Sequence, residues 1–260
     1  MHLLNIKFIN WKVFSILYIA SIIGIIAILP YVLTLQADVL QEVPFPLPVL
    51  IGISILQSAV LFFIVVLAGM VLSKKIGLGT PILDRFARNQ DVIYSVKSIL
   101  GISIGLGVLV GVLIIIGDYL FSLVKTISLN QAAVPPVWQG FLTSFYGGIN
   151  EELLLRFFFM SLLINIFMKI KKTDNSKPNT MIVWVSIVLA SIFFGLAHLP
   201  LTATLTEITP IIVARAVILN SIGGVVFGWL YWKKGLESAM ISHFTADIVL
   251  HGLFPLFSLM

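Results

Sequence analysis

Seven long apolar runs, separated by short polar stretches, leave this chain few ways to fold. They lie near residues 13–33, 49–72, 98–124, 138–168, 181–199, 211–232 and 237–257. About 20 apolar residues suffice for an α-helix to cross the hydrocarbon core of a bilayer. In lipid every backbone N–H and C=O must be satisfied within the segment, so such runs form helices. The expectation is an all-α, polytopic transmembrane helix bundle of about seven spans, with length enough for an eighth. Composition agrees, since 59% of residues are hydrophobic and 10% are charged. A soluble domain carries about 25% charged residues, so a water-soluble globule is excluded. The first run follows Lys7 and Lys12 as a signal peptide would. It is too long for one and lacks a small-x-small cleavage site, so it is expected to be a retained helix.

The net charge of +5 invites a nucleic-acid reading until the cations are located. With the N-terminus assigned to the cytoplasm, Lys7, Lys12, Lys74, Lys75, Arg85, Arg88, Lys97, Lys169, Lys171, Lys172, Lys177, Lys233 and Lys234 all fall inside. Only Lys125 and Arg215 fall near the outer face, beside Asp38, Glu42 and Glu207. This is the positive-inside pattern of a multi-pass membrane protein, and nucleic acid is not expected as a partner. The polar stretch from Ser73 to Lys97 mixes Ile82, Leu83, Phe86, Val92 and Ile93 with charges, and is expected to lie partly on the membrane surface. Lys169–Asn179 reads as a cytoplasmic hinge. The chain has no cysteine, which excludes a disulfide framework, a cysteine-ligated zinc site and a thiol nucleophile.

Ionisable residues inside the spans carry the functional information, because a charge at the bilayer centre costs about 2.5–3.5 kcal/mol on insertion scales. Span four reads SFYGGINEELLLRFFFMSLL and contains Glu151, Glu152 and Arg156. Glu152 and Arg156 are four apart on one helix face and can pair. Glu151 is turned by about 100° in an α-helix, which leaves its carboxylate available. Span five ends in Phe194-x-x-x-His198, and span seven carries His243 and Asp247 at i, i+4. A glutamate, two histidines and an aspartate can therefore converge from three helices, as metal ligands or as an acid–base site. Histidine and carboxylate donors suit zinc, and a desolvated glutamate suits a general base.

Counting residues tests whether these groups meet at one depth. Glu151 lies eighteen residues from Lys169 and His198 eighteen from Thr180, or roughly 27 Å from the cytoplasmic end. His243 lies only nine residues from Lys234, roughly 13 Å, and is expected to be too shallow unless the helix is tilted, kinked or drawn down. His251, seventeen residues from Lys234, matches the depth better and is held as a reserve candidate.

Glu151-Glu152-x-x-x-Arg156, Phe194-x-x-x-His198 and His243-x-x-x-Asp247 resemble the three ordered motifs of the CPBP intramembrane proteases. That family comprises type II CAAX prenyl proteases and bacteriocin-processing or immunity-associated proteins of the abortive-infection type. The resemblance covers about residues 138–257. It implies a catalytic helix bundle over 138–260, preceded by motif-free N-terminal spans over 1–137. It also implies a peptidase site within the bilayer. Glu151 would match the water-activating glutamate, with Glu152 and Arg156 as its support. His198 matches the second motif, and His243 and Asp247 the third. Two departures stand out. Phe157 occupies a position where many members have glycine. Asp247 stands where asparagine is frequent; ionised, it cannot donate to an oxyanion and suits metal ligation or histidine orientation better.

Two mechanisms follow from the resemblance. In one, zinc held by Glu151, His198, His243 and Asp247 polarises water and carbonyl. In the other, Glu151 alone deprotonates water and the histidines stabilise the oxyanion. The expected partner is a peptide or lipidated peptide (prenylated, leader or signalling) together with membrane lipid, in a bacterial-type cell membrane. Oligomeric state is not legible. The alternative is a non-catalytic immunity or regulatory protein that binds a peptide or partner, and a third reading is a proton-relaying transporter.

Rival motifs are weaker. There is no His-Glu-x-x-His, and Ile115 breaks a Gly-x-Gly-Asp pattern at Asp118. Gly101-Ile102-Ser103-Ile104-Gly105, Gly107 with Gly111, and Gly224 with Gly228 are read as helix-packing positions. Trp229, Tyr231 and Trp232 are read as interfacial anchors.

Overall fold

The structure, a computed structural model, describes residues 9–124, 134–172 and 177–258. Lys7, Lys125 and part of the Lys169–Asn179 hinge lie outside the described residues. Among the described residues seven helices are long and apolar enough to cross a membrane: Trp11–Leu35, Leu47–Lys75, Ile93–Val124, Val137–Ile170, Thr180–Leu205, Pro210–Lys234 and Leu236–Leu256. They coincide with the seven apolar runs, and the described residues contain no strand.

In chain order the elements begin with α1 (Trp11–Leu35), the short α2 (Ala37–Gln41), α3 (Leu47–Lys75), the short α4 (Pro81–Ala87) and α5 (Ile93–Val124). Span four is α6 (Val137–Phe145), two π-helical segments (Tyr146–Glu151 and Leu153–Met160) and α7 (Ser161–Ile170). Then follow α8 (Thr180–Ala197), α9 (Leu199–Leu205), α10 (Pro210–Lys234), α11 (Leu236–Asp247), a π-helical segment (Ile248–Leu253) and α12 (Phe254–Ser258). Asn10 and Asn179 begin α1 and α8 as N-caps, their side chains accepting from Val13 N and Ile182 N. A cap of this kind satisfies amides that the first helical turn leaves without partners. No eighth span appears among the described residues, because α2, α4, α9 and α12 are all short.

Small residues set how closely the spans approach. A Cβ on Gly107 would run into the α11 backbone at Ser242, and one on Gly111 would lie 2.8 Å from Val249. One on Gly224 would lie 2.6 Å from Ser191 on α8, and one on Gly195 would lie 2.5 Å from Val217 on α10. Without a hydrophobic force between helices in lipid, such close backbone approach is what holds them together. Gly101 and Gly105 depart from the packing expectation, since nothing lies within 4 Å of a Cβ at either. In that string it is Ser103 that packs: it is buried and shares a hydrogen bond of 2.7 Å with Ser238 on α11.

Tyr231 corrects another expectation. It is 1% exposed, and its hydroxyl shares a 2.9 Å hydrogen bond with Ser161, so it belongs to the core and is not an interfacial anchor. Trp229 and Trp232 are half-buried, with Trp232 edge-on to Trp184. The Ser73–Lys97 stretch is folded in part against the bundle. Glu237, at the start of α11, accepts from Ile82 N and Leu83 N at 2.9 and 2.8 Å, and Leu236 N donates to Gly79 O. Gly235 takes φ +96° at this turn, a left-handed value open to glycine at little cost.

Candidate active site

Span four changes from α- to π-helical where the motif lies. A π-turn closes i→i+5 hydrogen bonds, and such turns occur mostly at functional sites. The wider turn rotates less per residue than an α-helix, so Glu151 and Glu152 stand closer in direction than α-helical geometry implies. Both reach the same imidazole. His243 Nδ1 donates to Glu152 Oε1 at 2.8 Å, while His243 Nε2 faces Glu151 Oε2 at 3.6 Å and Asp247 Oδ1 at 3.7 Å.

The expectation that His243 lies too shallow is therefore corrected. Gly235 and Leu236 are buried, and the 79–83 segment hydrogen-bonds over the start of α11. Distance counted from Lys234 is thus not distance from an open surface. The π-turns also shorten span four relative to an α-helical count.

Glu152 is fully buried and Arg156 is 2% exposed, with Arg156 Nη1 at 2.9 Å from Glu152 Oε1. Arg156 Nη2 also donates to Gly224 O at 3.3 Å, and its guanidinium lies over the rings of Phe194 and Phe227. Glu152 is thus held between a guanidinium and an imidazole. A buried carboxylate with these partners avoids the penalty of an uncompensated charge. Phe227 stacks on the His243 ring at a centroid distance of 4.6 Å. The His243 ring is fixed on one edge and one face, while its Nε2 edge is turned to the two remaining carboxylates.

His198 caps the C-terminal end of α8, where Nδ1 hydrogen-bonds Phe194 O at 2.8 Å. The Phe194 ring touches both imidazoles, 4.8 Å from His198 and 5.7 Å from His243. The two halves of the second motif thus have a shared physical use: phenylalanine is the wall between the two histidines.

Glu151, His198, His243 and Asp247 all line one cavity of about 870 Å³. His251 lines it as well, near Tyr31 at a ring distance of 6.3 Å, but it is His243 that both motif glutamates contact. Between Ile28, Val32, Leu35, Ile114 and Leu219 the walls are apolar. Among the described residues no three His, Asp or Glu side chains are arranged to hold a metal ion. The donors His243 Nδ1 and His198 Nδ1 are already engaged by Glu152 and by the Phe194 carbonyl. Each Nε2 is left as the ring nitrogen that a ligand in the cavity would meet, since hydrogen bonding at Nδ1 orients a histidine through its other nitrogen.

Several supporting residues left no signal as motifs. Gly147 lies directly beneath the third motif. A Cβ there would overlap Asp247 Oδ2 and lie 3.2 Å from His243 Nε2. Asn150, fully buried, donates from Nδ2 to Ser21 O of α1 at 3.0 Å, in the space opened by Gly24. Gly148, against Phe244, lets α11 approach. Phe157, the departure from the family pattern, is 1% exposed and fills the room left by Gly69 on α3. Asp118 and Arg215, noted in the sequence only singly, form an ion pair between α5 and α10 at the cavity wall, with Arg215 Nε at 2.6 Å and Nη2 at 2.5 Å from Asp118 Oδ1.

The fold and this cavity define a polytopic helical membrane protein with a buried glutamate–histidine–aspartate site. Residues 133–249 match the family model described as Rce1-like, Type II CAAX prenyl endopeptidase, a likeness that agrees with the resemblance of the motifs to the CPBP group. The match supports a membrane protease of the CAAX type in general terms. No curated protein and no solved structure matches the chain.

Proposed function

We propose that this protein is an intramembrane endopeptidase that hydrolyses a peptide bond with a glutamate-activated water. The observation that carries the reading is the placement of Glu151 Oε2 across a 3.6 Å gap from His243 Nε2, at the wall of the cavity. With Nδ1–H donated to Glu152, that nitrogen faces two carboxylates. Glu151 and the Nε2 edge of His243 thus stand side by side at the cavity wall, placed to work on one water and one carbonyl.

The steps follow from these positions. Glu151 takes a proton from water as the oxygen attacks the carbonyl carbon of the scissile bond. The developing oxyanion is stabilised by the protonated Nε2 edge of His243, with the imidazole of His198 lining the same space. Glu151 returns the proton to the departing nitrogen, the C–N bond breaks, and a carboxyl and an amine terminus result. Glu152 and Arg156 touch no substrate in this scheme; they hold the His243 ring, and Asp247 orients it from the same helix. No step runs through a metal. The apolar walls suit an apolar peptide segment or one carrying a lipid chain.

Purified protein and its Glu151→Gln variant, incubated with leader, signalling and prenylated peptides and read by mass spectrometry, test the proposal. Cleavage by the wild type that falls at least about 10³-fold in the variant is expected, the upper part of the range for general-base groups. Cleavage abolished by a chelator and restored by zinc would replace the metal-free scheme with a zinc one. Wild-type binding without cleavage of a peptide processed in cells would favour an immunity or regulatory protein instead.

A further inference from the structure

The cavity and the lysines lie at opposite ends of the bundle. Lys74 and Lys75 close α3, Lys169 lies in the last turn of α7, and Lys233 and Lys234 close α10. The cavity instead is lined by Leu35 at the end of α1, Ser122 near the end of α5, Leu205 at the end of α9, and Phe254.

The lysine end is shut. Between the site and that end the core contains Leu153, Met160, Ile164, Leu230, Leu236 and Ala239, all at 0% exposure. The turn into α11 is further covered by the hydrogen bonds from the 79–83 segment.

The other end is wet. Asp118 and Arg215 are 48% and 33% exposed as an ion pair, six residues from the end of α5 and five from the start of α10. That places them roughly 8–9 Å from their helix ends. A half-exposed ion pair at that depth belongs to an aqueous mouth and not to lipid-facing surface.

Because lysine-rich ends lie on the cytoplasmic side, we infer that the cavity opens to the opposite, non-cytoplasmic face. Its substrate is then an extracytoplasmic peptide segment, exported or borne on the outer end of a membrane protein, and not a cytoplasmic lipidated tail. The substrate half of this inference rests on the peptidase reading; the sidedness does not. The Asp118–Arg215 pair stands at the entrance such a peptide passes.

The absence of cysteine makes the test direct. Single variants Glu207→Cys, Ser122→Cys and Lys75→Cys, in the full chain expressed in bacterial cells, are treated with a membrane-impermeant maleimide before and after permeabilisation. Glu207→Cys and Ser122→Cys are expected to label in intact cells at least tenfold more than Lys75→Cys, which labels only after permeabilisation. Labelling of Lys75→Cys from outside, equal labelling at both ends, or a Ser122→Cys that does not label from outside overturns the inference. A second arm displays candidate peptide segments on either face of the membrane beside the wild type and Glu151→Gln. Glu151-dependent cleavage is expected on the outer face only, and cleavage confined to the cytoplasmic face overturns the substrate assignment. Outside labelling with no Glu151-dependent cleavage on either face would sink the peptidase reading, and the substrate assignment with it, while the sidedness stands.

Discussion

Gly147 offers the sharpest perturbation of the site, because it touches no substrate in the proposed chemistry and yet has no room for a methyl group. In Gly147→Ala the new Cβ overlaps Asp247 Oδ2 and sits 3.2 Å from His243 Nε2. The obstacle is the tip of a side chain and not backbone, so the Asp247 carboxylate can swing away and the helix can stay. Overpacking costs about 1–3 kcal/mol, while replacing a helical glycine by alanine returns about 1 kcal/mol. The net loss of stability is at most about 2 kcal/mol. Activity should suffer far more, since a displacement on the order of 1 Å in a catalytic constellation costs about 10²-fold. The assay pairs thermal unfolding in detergent with turnover of whichever peptide shows Glu151-dependent cleavage. Gly101→Ala serves as the control, because its Cβ meets nothing within 4 Å. Gly147→Ala turning over as fast as Gly101→Ala, with both folded, would refute the claim that the Asp247–His243 alignment is what the site depends on.

Three further substitutions probe what holds the site. Arg156→Met takes from the fully buried Glu152 its guanidinium partner and leaves only the imidazole of His243, and should cost up to about 3–5 kcal/mol in unfolding free energy; an unchanged unfolding midpoint would show that the pair is not needed to bury Glu152. Phe157→Ala empties the space that Gly69 makes for the ring, for an expected loss of about 3–5 kcal/mol, checked by denaturant unfolding in detergent. Gly69→Ala should destabilise as well, through contact with the same ring, and a stable Gly69→Ala would show that the ring has room to move.

The spans were legible because membrane burial imposes a one-dimensional rule. A helix must remain apolar for about 20 residues to cross lipid, and the segments from Trp11–Leu35 to Leu236–Leu256 obey it irrespective of their neighbours. The motif residues were legible for the converse reason: Glu151, Glu152, Arg156, His243 and Asp247 break that rule, at a cost that only partners can offset. The i, i+4 pairing of Glu152 with Arg156 is local and follows from helix geometry.

Three-dimensional packing was needed for everything that depends on which helices touch. Counting along single helices set His243 too shallow, because the count cannot register a turn buried beneath a segment some 150 residues away in sequence, tied by Glu237 to Ile82 and Leu83. The sharing of His243 between Glu151 and Glu152 needs π-turns, which apolar periodicity does not signal. Gly147 and Gly101 are the same residue type in similarly apolar helices; only contact with another span leaves no room for a Cβ at one of them and open space at the other. Asp118 and Arg215, 97 positions apart, become the rim of a cavity solely because α5 and α10 meet there. Transfer from water to lipid is a property of each segment, and so is written segment by segment; a site is a property of contacts between segments, and is written only in their packing.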